Sequence, residues 1–157
     1  EAYMAFVKGD AGEAAAEADL AGLVNAAARA CGRTGGSVTV DAPEGQVVRV
    51  KPNAFGRLLA NLIGNAVRYA KGVAVTARVA DNMLTLTVDD DGPGIPPDLR
   101  EEAFKPFVRL DNARNLDETG TGLGLAIARD IARAHGGEIT LADSPKGGLR
   151  AVVQMPV

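Results

Sequence analysis

The segment DDDGPGIP, residues 89–96, is the stretch from which the rest of the sequence can be interpreted. It follows an alternating run, Met83–Asp89, that predicts a β-strand. Gly92 and Gly94 permit positive φ and let the backbone approach a planar ligand closely. A buried carboxylate there would accept a hydrogen bond from the amino group of adenine, and Asp90 is the carboxylate we expect in that role. The alternative is a glycine-rich turn with ordinary acidic residues.

The helix predicted before this segment carries a polar stripe beside its apolar one. Pro52 suits a first helical turn, and apolar residues recur at steps of three and four over 55–66. On the polar stripe lie Asn61, Asn65, Arg68 and Tyr69. Their spacing allows them to share one ligand. An amide oxygen suits Mg²⁺, and Asn65 is the better candidate. The alternative is a solvated helix face.

The run GTGLG, residues 120–124, opens a third predicted helix that ends at Gly136 and Gly137. Free N–H groups at such a helix start favour an anion such as a triphosphate. The run follows a polar stretch, 98–119, rather than the strand of a dinucleotide site, and it lacks the Gly-Lys-Ser/Thr ending of a P-loop. We expect that stretch to form a loop. Its candidate phosphate contacts are Lys105, Arg109 and Arg114.

The remaining pattern predicts the fold class. A first helix is expected from Asp19, as N-cap, to Gly32. Hairpins are predicted from the alternating segments 37–41 with 47–50, 73–79 with 83–89, and 138–142 with 149–155. We therefore predict an α/β fold, a two-layer sandwich of a mixed, mostly antiparallel sheet and three main helices.

Composition excludes several classes of protein. The chain has 157 residues, a net charge of −3 and a pI of about 5.2, so it offers no basic field for nucleic acid. No apolar run approaches the roughly 18 residues of a membrane span. Cys31 is the single cysteine, which rules out an intrachain disulfide.

Four motifs in order resemble the catalytic and ATP-binding domain of bacterial sensor histidine kinases. Residues 61–69 resemble its N box, 90–94 its first glycine box, 104–107 its F box and 120–124 its second glycine box. That domain belongs to the GHKL superfamily, which includes gyrase and a class of heat-shock chaperones, and has the Bergerat ATP-binding fold. The stretch 90–127 is most similar to kinases of the osmosensor type.

This resemblance implies ATP and Mg²⁺ as cofactors, with Mg²⁺ at Asn65 and adenine at Asp90. It also implies a lid over about 105–120. The other implied ATP-site residues lie in the motifs or in the lid: Asn61, Arg68, Tyr69, Gly92, Gly94, Ile95, Lys105, Arg109, Arg114, Gly120, Thr121, Gly122, Leu123, Gly124 and Leu125. Residues 1–18 would be the end of the dimerisation and phosphoacceptor domain with a linker, and 19–157 the catalytic domain.

The single histidine limits the expected function. His135 falls in the last turn of the third predicted helix, where a structural role at the negative helix end is expected. ATP-hydrolysing relatives resemble one another in a Glu four residues before the N-box Asn, where it serves as general base. Asn61 takes that position here, and an amide cannot accept a proton at neutral pH. Vigorous hydrolysis of ATP is therefore disfavoured.

The leading hypothesis is a phosphoryl-donor domain of a protein-histidine kinase. It would transfer the γ-phosphate of Mg-ATP to a histidine on a separate dimerisation domain, for relay to a response regulator. We expect this chain to be monomeric, its parent to be a homodimer, and its place to be the cytoplasmic part of an inner-membrane sensor. The alternatives are a nucleotide-gated interaction module and a GHKL-type ATPase.

Overall fold

A computed structural model of the chain describes residues 13–32, 37–105 and 124–157. Within these ranges the order of elements is β1 (Ala16–Asp19), α1 (Leu20–Gly32), β2 (Ser37–Asp41), β3 (Val47–Val50), α2 (Pro52–Tyr69), β4 (Gly72–Ala80), β5 (Met83–Asp90), a 3₁₀ turn (Pro97–Leu99), α3 (Arg100–Ala103), α4 (Gly124–Ala134), β6 (Glu138–Asp143) and β7 (Leu149–Pro156).

Five of the strands form one mixed sheet in the order β2-β4-β5-β7-β6. The β2–β4 pair is parallel, and the other three pairs are antiparallel. β1 and β3 form a separate antiparallel pair. The predicted sheet, mixed and mostly antiparallel, is confirmed.

The core lies between one face of this sheet and the three long helices. Strand residues alternate, so that Val73, Val75 and Ala77 of β4 are buried while the residues between them are only half-buried. The apolar stripe of α2 buries Phe55 and Ile63 completely. Burying such side chains stabilises the fold by about 1.5–3 kcal/mol each. The helices therefore form one layer and the sheet the other, as the sequence pattern predicts.

Turn chemistry explains the confirmed hairpin between β4 and β5. Asp81 and Asn82 have φ of 53° and 61°, the left-handed conformation that a two-residue type I′ turn requires. Asn and Asp tolerate this conformation better than other non-glycine residues. The closing hairpin of β6 and β7 is likewise confirmed.

The first predicted hairpin was wrong. Segments 37–41 and 47–50 are both strands, but β2 pairs with β4 and β3 pairs with β1. An alternating pattern indicates a strand but does not show which strand it pairs with. We paired these two segments because they are close in the sequence, and that pairing was wrong. The strand Ala16–Asp19, composed of alanine and acidic residues with low strand propensity, gave no sequence signal.

The segment before α1 is joined to the helical layer. The Glu13 carboxylate accepts hydrogen bonds from the N–H groups of Asn53 (2.8 Å) and Ala54 (2.9 Å) at the start of α2. These bonds satisfy donors that a helix start leaves unpaired. Residues 16–18, which the sequence assigned to the end of a preceding domain and its linker, lie in β1. The expected domain boundary after residue 18 stays a prediction. The expected origin of residues 1–12 in a dimerisation domain lies outside the described residues and stays a prediction.

Candidate nucleotide site

Asp90, the last residue of β5, lies buried at the end of the sheet with 1% of its surface exposed. Its Oδ1 accepts hydrogen bonds from the backbone N–H groups of Gly92 and Leu149, both at 3.0 Å. Its carbonyl oxygen accepts another from the N–H of Gly148 at 3.1 Å. A buried carboxylate needs such donors, and these fix its orientation. Asp90 is thus a rigid acceptor supported by two separate chain segments.

Two glycines let these segments meet. An added Cβ at Gly92 would lie 2.6 Å from the carbonyl oxygen of Tyr69, at the end of α2. An added Cβ at Gly148 would lie 2.6 Å from the nitrogen of Gly92 and from the Asp90 carbonyl oxygen, and closer still to Asp90 Oδ1. The end of α2, the glycine segment and the turn before β7 therefore converge on Asp90.

Sequence reasoning included Gly92 in the site and missed Gly148. The Gly147-Gly148 pair indicated only a turn between two strands. Two further expected residues lie close to this junction. Gly94 has a φ of 71° and its added Cβ would contact Gly148 at 3.5 Å, while Ile95 is buried.

The aspartates on either side of Asp90 have structural contacts. Asp89, on the opposite face of the sheet, accepts two hydrogen bonds from the Arg150 guanidinium, at 2.7 and 3.0 Å. The bond to Asp89 raises the pKa of Arg150. Asp91 Oδ1 accepts from the N–H groups of Gly72 and Lys71, both at 3.0 Å, and these bonds lower the pKa of Asp91. Asp90 is therefore the only one of the three that can face a ligand from the core side.

The polar stripe of α2 reaches this junction. Asn61, Asn65 and Tyr69 are half-buried and Arg68 is exposed. Among the described residues, Asn61 Nδ2 is buried without a hydrogen-bond partner. A buried donor left without a partner is rare in proteins, and a bound ligand or water is one group that would satisfy it. The described residues contain no cluster of three histidine, cysteine, aspartate or glutamate side chains suited to a metal ion.

His135 shows how α4 is oriented against α2. The Lys51 N–H, just before α2, donates to His135 Nε2 at 3.1 Å, so Nδ1 carries the proton and donates to the Ile131 carbonyl at 2.9 Å. The end of α4 thus meets the start of α2, and the two helices pack against each other. Since α4 is about 16 Å long, its first residues, Gly124 and Leu125, lie toward the half of α2 that carries the Asn pair.

The single histidine therefore has a structural role. Both ring nitrogens are engaged, and the ring joins two helices. His135 lies at the end of α4, where a structural role was predicted. Its bond with the Lys51 N–H, just before α2, could not be deduced from the sequence.

The short helix α3 precedes the expected lid. Phe104 is buried, with the Arg129 guanidinium 4.3 Å from its ring centroid, and Arg129 bonds Glu101 at 2.7 Å and Glu138 at 3.1 Å. Lys105 pairs with Glu102. The other two predicted phosphate contacts, Arg109 and Arg114, lie outside the described residues. So do Phe107 of the F box and Gly120, Thr121, Gly122 and Leu123 of the second glycine box. Their roles stay predictions.

Comparison with known proteins agrees with this arrangement. Residues 50–157 match the family described as histidine kinase-, DNA gyrase B-, and HSP90-like ATPase. The chain belongs to this family. It is 44% identical over 125 residues to the sensor histidine kinase CpxA of Escherichia coli K12, a match that covers 78% of this chain and 27% of CpxA. The chain thus spans about a quarter of the length of this relative.

Solved structures of sensor kinases have the same fold as this member of the family. The ATP-binding domain of PrrB from Mycobacterium tuberculosis is 27% identical, with a TM-score of 0.75, over 90% of this chain and 96% of that one. The histidine kinase domain of the E. coli osmosensor EnvZ is 36% identical, with a TM-score of 0.67, over 90% and 88%. The predicted family and fold class are confirmed. Across the described residues, no helix is both long and apolar enough to cross a membrane.

Proposed function

We propose that this chain binds Mg-ATP and donates the γ-phosphate to a histidine on a separate dimerisation domain. The observation that carries the proposal is the buried Asp90 carboxylate, held by the N–H groups of Gly92 and Leu149 where three chain segments converge. Family membership supports ATP as the nucleotide.

Asp90 is suited to the amino group of adenine. A carboxylate accepts more than two hydrogen bonds, so the two backbone donors on Oδ1 are compatible with a further donor from a base. Its fixed orientation means that little freedom is lost when the base binds. A guanine or hypoxanthine base presents an oxygen at the position of the adenine amino group, and that oxygen would repel the carboxylate.

The α2 stripe is suited to the phosphate end of the nucleotide. Asn65 lies one turn beyond Asn61 on the same stripe, and an amide oxygen with water and phosphate oxygens is a common set of Mg²⁺ ligands. With no acidic metal cluster among the residues that the structure describes, binding of the metal would depend on the phosphates as well as on Asn65. When bound, Mg²⁺ would neutralise phosphate charge. Gly124 and Leu125 begin α4, whose positive helix end favours the same anion.

The residues of α2 favour donation over hydrolysis. α2 contains no acidic residue, so the position four before Asn65 offers an amide in place of a general base. Transfer to an imidazole, which is itself a nucleophile, needs mainly positioning and charge stabilisation. His135 is the chain's single histidine, and both its nitrogens are engaged. The acceptor would therefore be a histidine outside this chain.

The wider setting follows from the sensor kinases that the chain resembles. We infer a homodimeric parent whose dimerisation domain carries the acceptor histidine, a response regulator as the next acceptor, and a cytoplasmic location beneath an inner-membrane sensor. Neither a nucleotide-gated interaction module nor a GHKL-type ATPase is favoured by a specific contact, and the absence of acidic residues on α2 argues against the ATPase.

The proposal is tested by measuring ATP affinity with and without Mg²⁺ and the release of phosphate by the chain alone. We expect Mg-dependent binding and little phosphate. Asn61→Glu should raise phosphate release because it places a base one turn before Asn65, whereas Asn61→Gln, the matched control, should not. Rapid release by the unaltered chain, or no effect of Asn61→Glu, would contradict the argument from the missing base. Failure to bind ATP would refute the proposed function altogether.

A further inference from the structure

The ion pair between Asp89 and Arg150 lies on the outer face of the sheet, away from the helices. Arg150 donates from Nε at 2.7 Å and from an η nitrogen at 3.0 Å to the two oxygens of one carboxylate. This bidentate geometry fixes the angle between two side chains as well as their distance. The Asp89 side chain is only 9% exposed, although it lies on the face opposite the three long helices.

This pair occupies the last step of the β5–β7 ladder before the nucleotide site. Asp89 and Arg150 are the final partners in the register of these strands. The next residues along each strand are Asp90 and Leu149, and there the Leu149 N–H donates to Asp90 Oδ1. Successive side chains point to opposite faces, so the ion pair and the Asp90 carboxylate lie on the two sides of one short piece of sheet.

The carboxylate depends on β7 keeping this register. Leu149 supplies one of the two donors to Oδ1, and Gly148 approaches Asp90 so closely that no Cβ fits between them. Within the turn before β7, hydrogen bonds join Ser144 to Lys146, Gly147 and Gly148. The Gly148 N–H donates to the Asp90 carbonyl oxygen, and Asp143, just before the turn, pairs with Arg100. The backbone ladder between β5 and β7 ends at Asp89 and Arg150, and the Arg150 side chain adds a bidentate bond to β5 at this last step, one residue from Leu149.

We propose that Arg150 and Asp89 are positioning residues that hold the Asp90 carboxylate in place for the base and so set the preference for adenine. The inference rests on the proposed role of Asp90 in the nucleotide site. Neither side chain would touch the base. They act by keeping the Leu149 N–H aligned with Oδ1.

The test compares affinities for ATP and for inosine triphosphate, which carries an oxygen where adenine has its amino group. Arg150→Ala should weaken ATP about five- to tenfold and leave inosine triphosphate within about twofold, because coupled neighbours in one network typically interact on this scale. Arg150→Lys should restore part of the preference, since it keeps the charge and loses the bidentate fork. Hydrogen exchange of the Leu149 amide should accelerate in the Ala variant.

The matched control is Arg78→Ala. Arg78 bonds Asp41 at 2.8 Å and lies on the same outer face, about 13 Å along β4 from the residue that pairs with Asp89. Loss of this pair should change neither the nucleotide preference nor exchange at Leu149. An Arg150→Ala protein with a normal preference for ATP and normal exchange at Leu149 would overturn the role of Arg150 and Asp89 but leave the role of Asp90 intact. A wild-type chain that bound both nucleotides equally would overturn the role of Asp90, and the inference with it.

Discussion

Replacing Asp90 with Asn separates recognition of the base from folding. Asp90 Oδ1 accepts the N–H groups of Gly92 and Leu149, and an Asn side chain can present its own oxygen to the same two donors. Its NH₂ group then takes the place of the second carboxylate oxygen. Adenine would meet a donor instead of an acceptor, so binding should fall while the fold persists.

The expected magnitudes follow from these contacts. Hydrogen bonds to a charged group contribute about 1.5–3 kcal/mol, and 1.4 kcal/mol is a tenfold change in affinity. ATP should therefore bind about 10- to 150-fold more weakly. Folding should lose about 1–2 kcal/mol, because two charge-assisted bonds become neutral ones. Asp90→Ala should cost more, since it leaves the buried Leu149 N–H and the half-buried Gly92 N–H without an acceptor, at up to about 1–3 kcal/mol each.

The assay is a pair of titrations on each variant, with ATP and with inosine triphosphate, alongside denaturant unfolding. Asp90→Asn should lose most of its preference for ATP, because the amide can donate to the oxygen of hypoxanthine. Equal weakening of both nucleotides would refute the role of Asp90 in recognising the base. A loss of stability as large as that of Asp90→Ala would show that Asn does not keep the two backbone bonds.

Three further predictions concern single side chains. Asn65→Ala should abolish most of the gain in ATP affinity on adding Mg²⁺. An unchanged Mg²⁺ titration would show that Asn65 does not bind the metal and belongs to a solvated helix face. His135→Ala should lower the free energy of unfolding by about 1–3 kcal/mol, measured with denaturant, because the Lys51 N–H loses its acceptor; unchanged stability would contradict that bond. Backbone donors lower the pKa of Asp91 below its ordinary value of 3.8, so its contribution is present above that value and is lost as pH falls below it. Asp91→Asn should therefore flatten the loss of stability as pH falls below 3.8, and an unchanged acid profile would refute this.

The parts of the fold that local chemistry specifies could be predicted from the sequence. Pro52 and the apolar stripe indicated α2, and Asp81-Asn82 indicated the β4–β5 hairpin. Strand pairing could not be predicted from the connection alone, because the segments 42–46 and 144–148 have equal length but only the second joins paired strands. The pairing of β1 with β3 depends on contacts between distant segments, and alternation carries no information about partners.

The candidate site divides in the same way. Asp90, Gly92 and the Asn pair belong to short motifs, so they could be named from the sequence. Gly148 and Leu149 could not, because their role arises from a strand that arrives beside Asp90 from 58 residues away or more in the chain. Nothing in residues 144–150 taken alone distinguishes a structural turn from part of a binding site.

The partner of His135 illustrates the same limit. The sequence placed the ring in the last turn of a helix and so predicted a structural role. The Lys51 N–H can donate to His135 Nε2 only because the end of α4 meets the start of α2. That meeting is a property of the packed helical layer.

Transfer of labelled γ-phosphate distinguishes a phosphoryl donor from an ATPase in a single assay. The chain is incubated with Mg-ATP labelled at the γ-phosphate, alone and with a separately prepared, histidine-bearing dimerisation hairpin of the parent protein. His135→Gln serves as a control against labelling of this chain. We expect acid-labile label on the hairpin and little free phosphate from the chain alone. Rapid phosphate release without the hairpin, or bound ATP with no label on any histidine, would contradict the donor role.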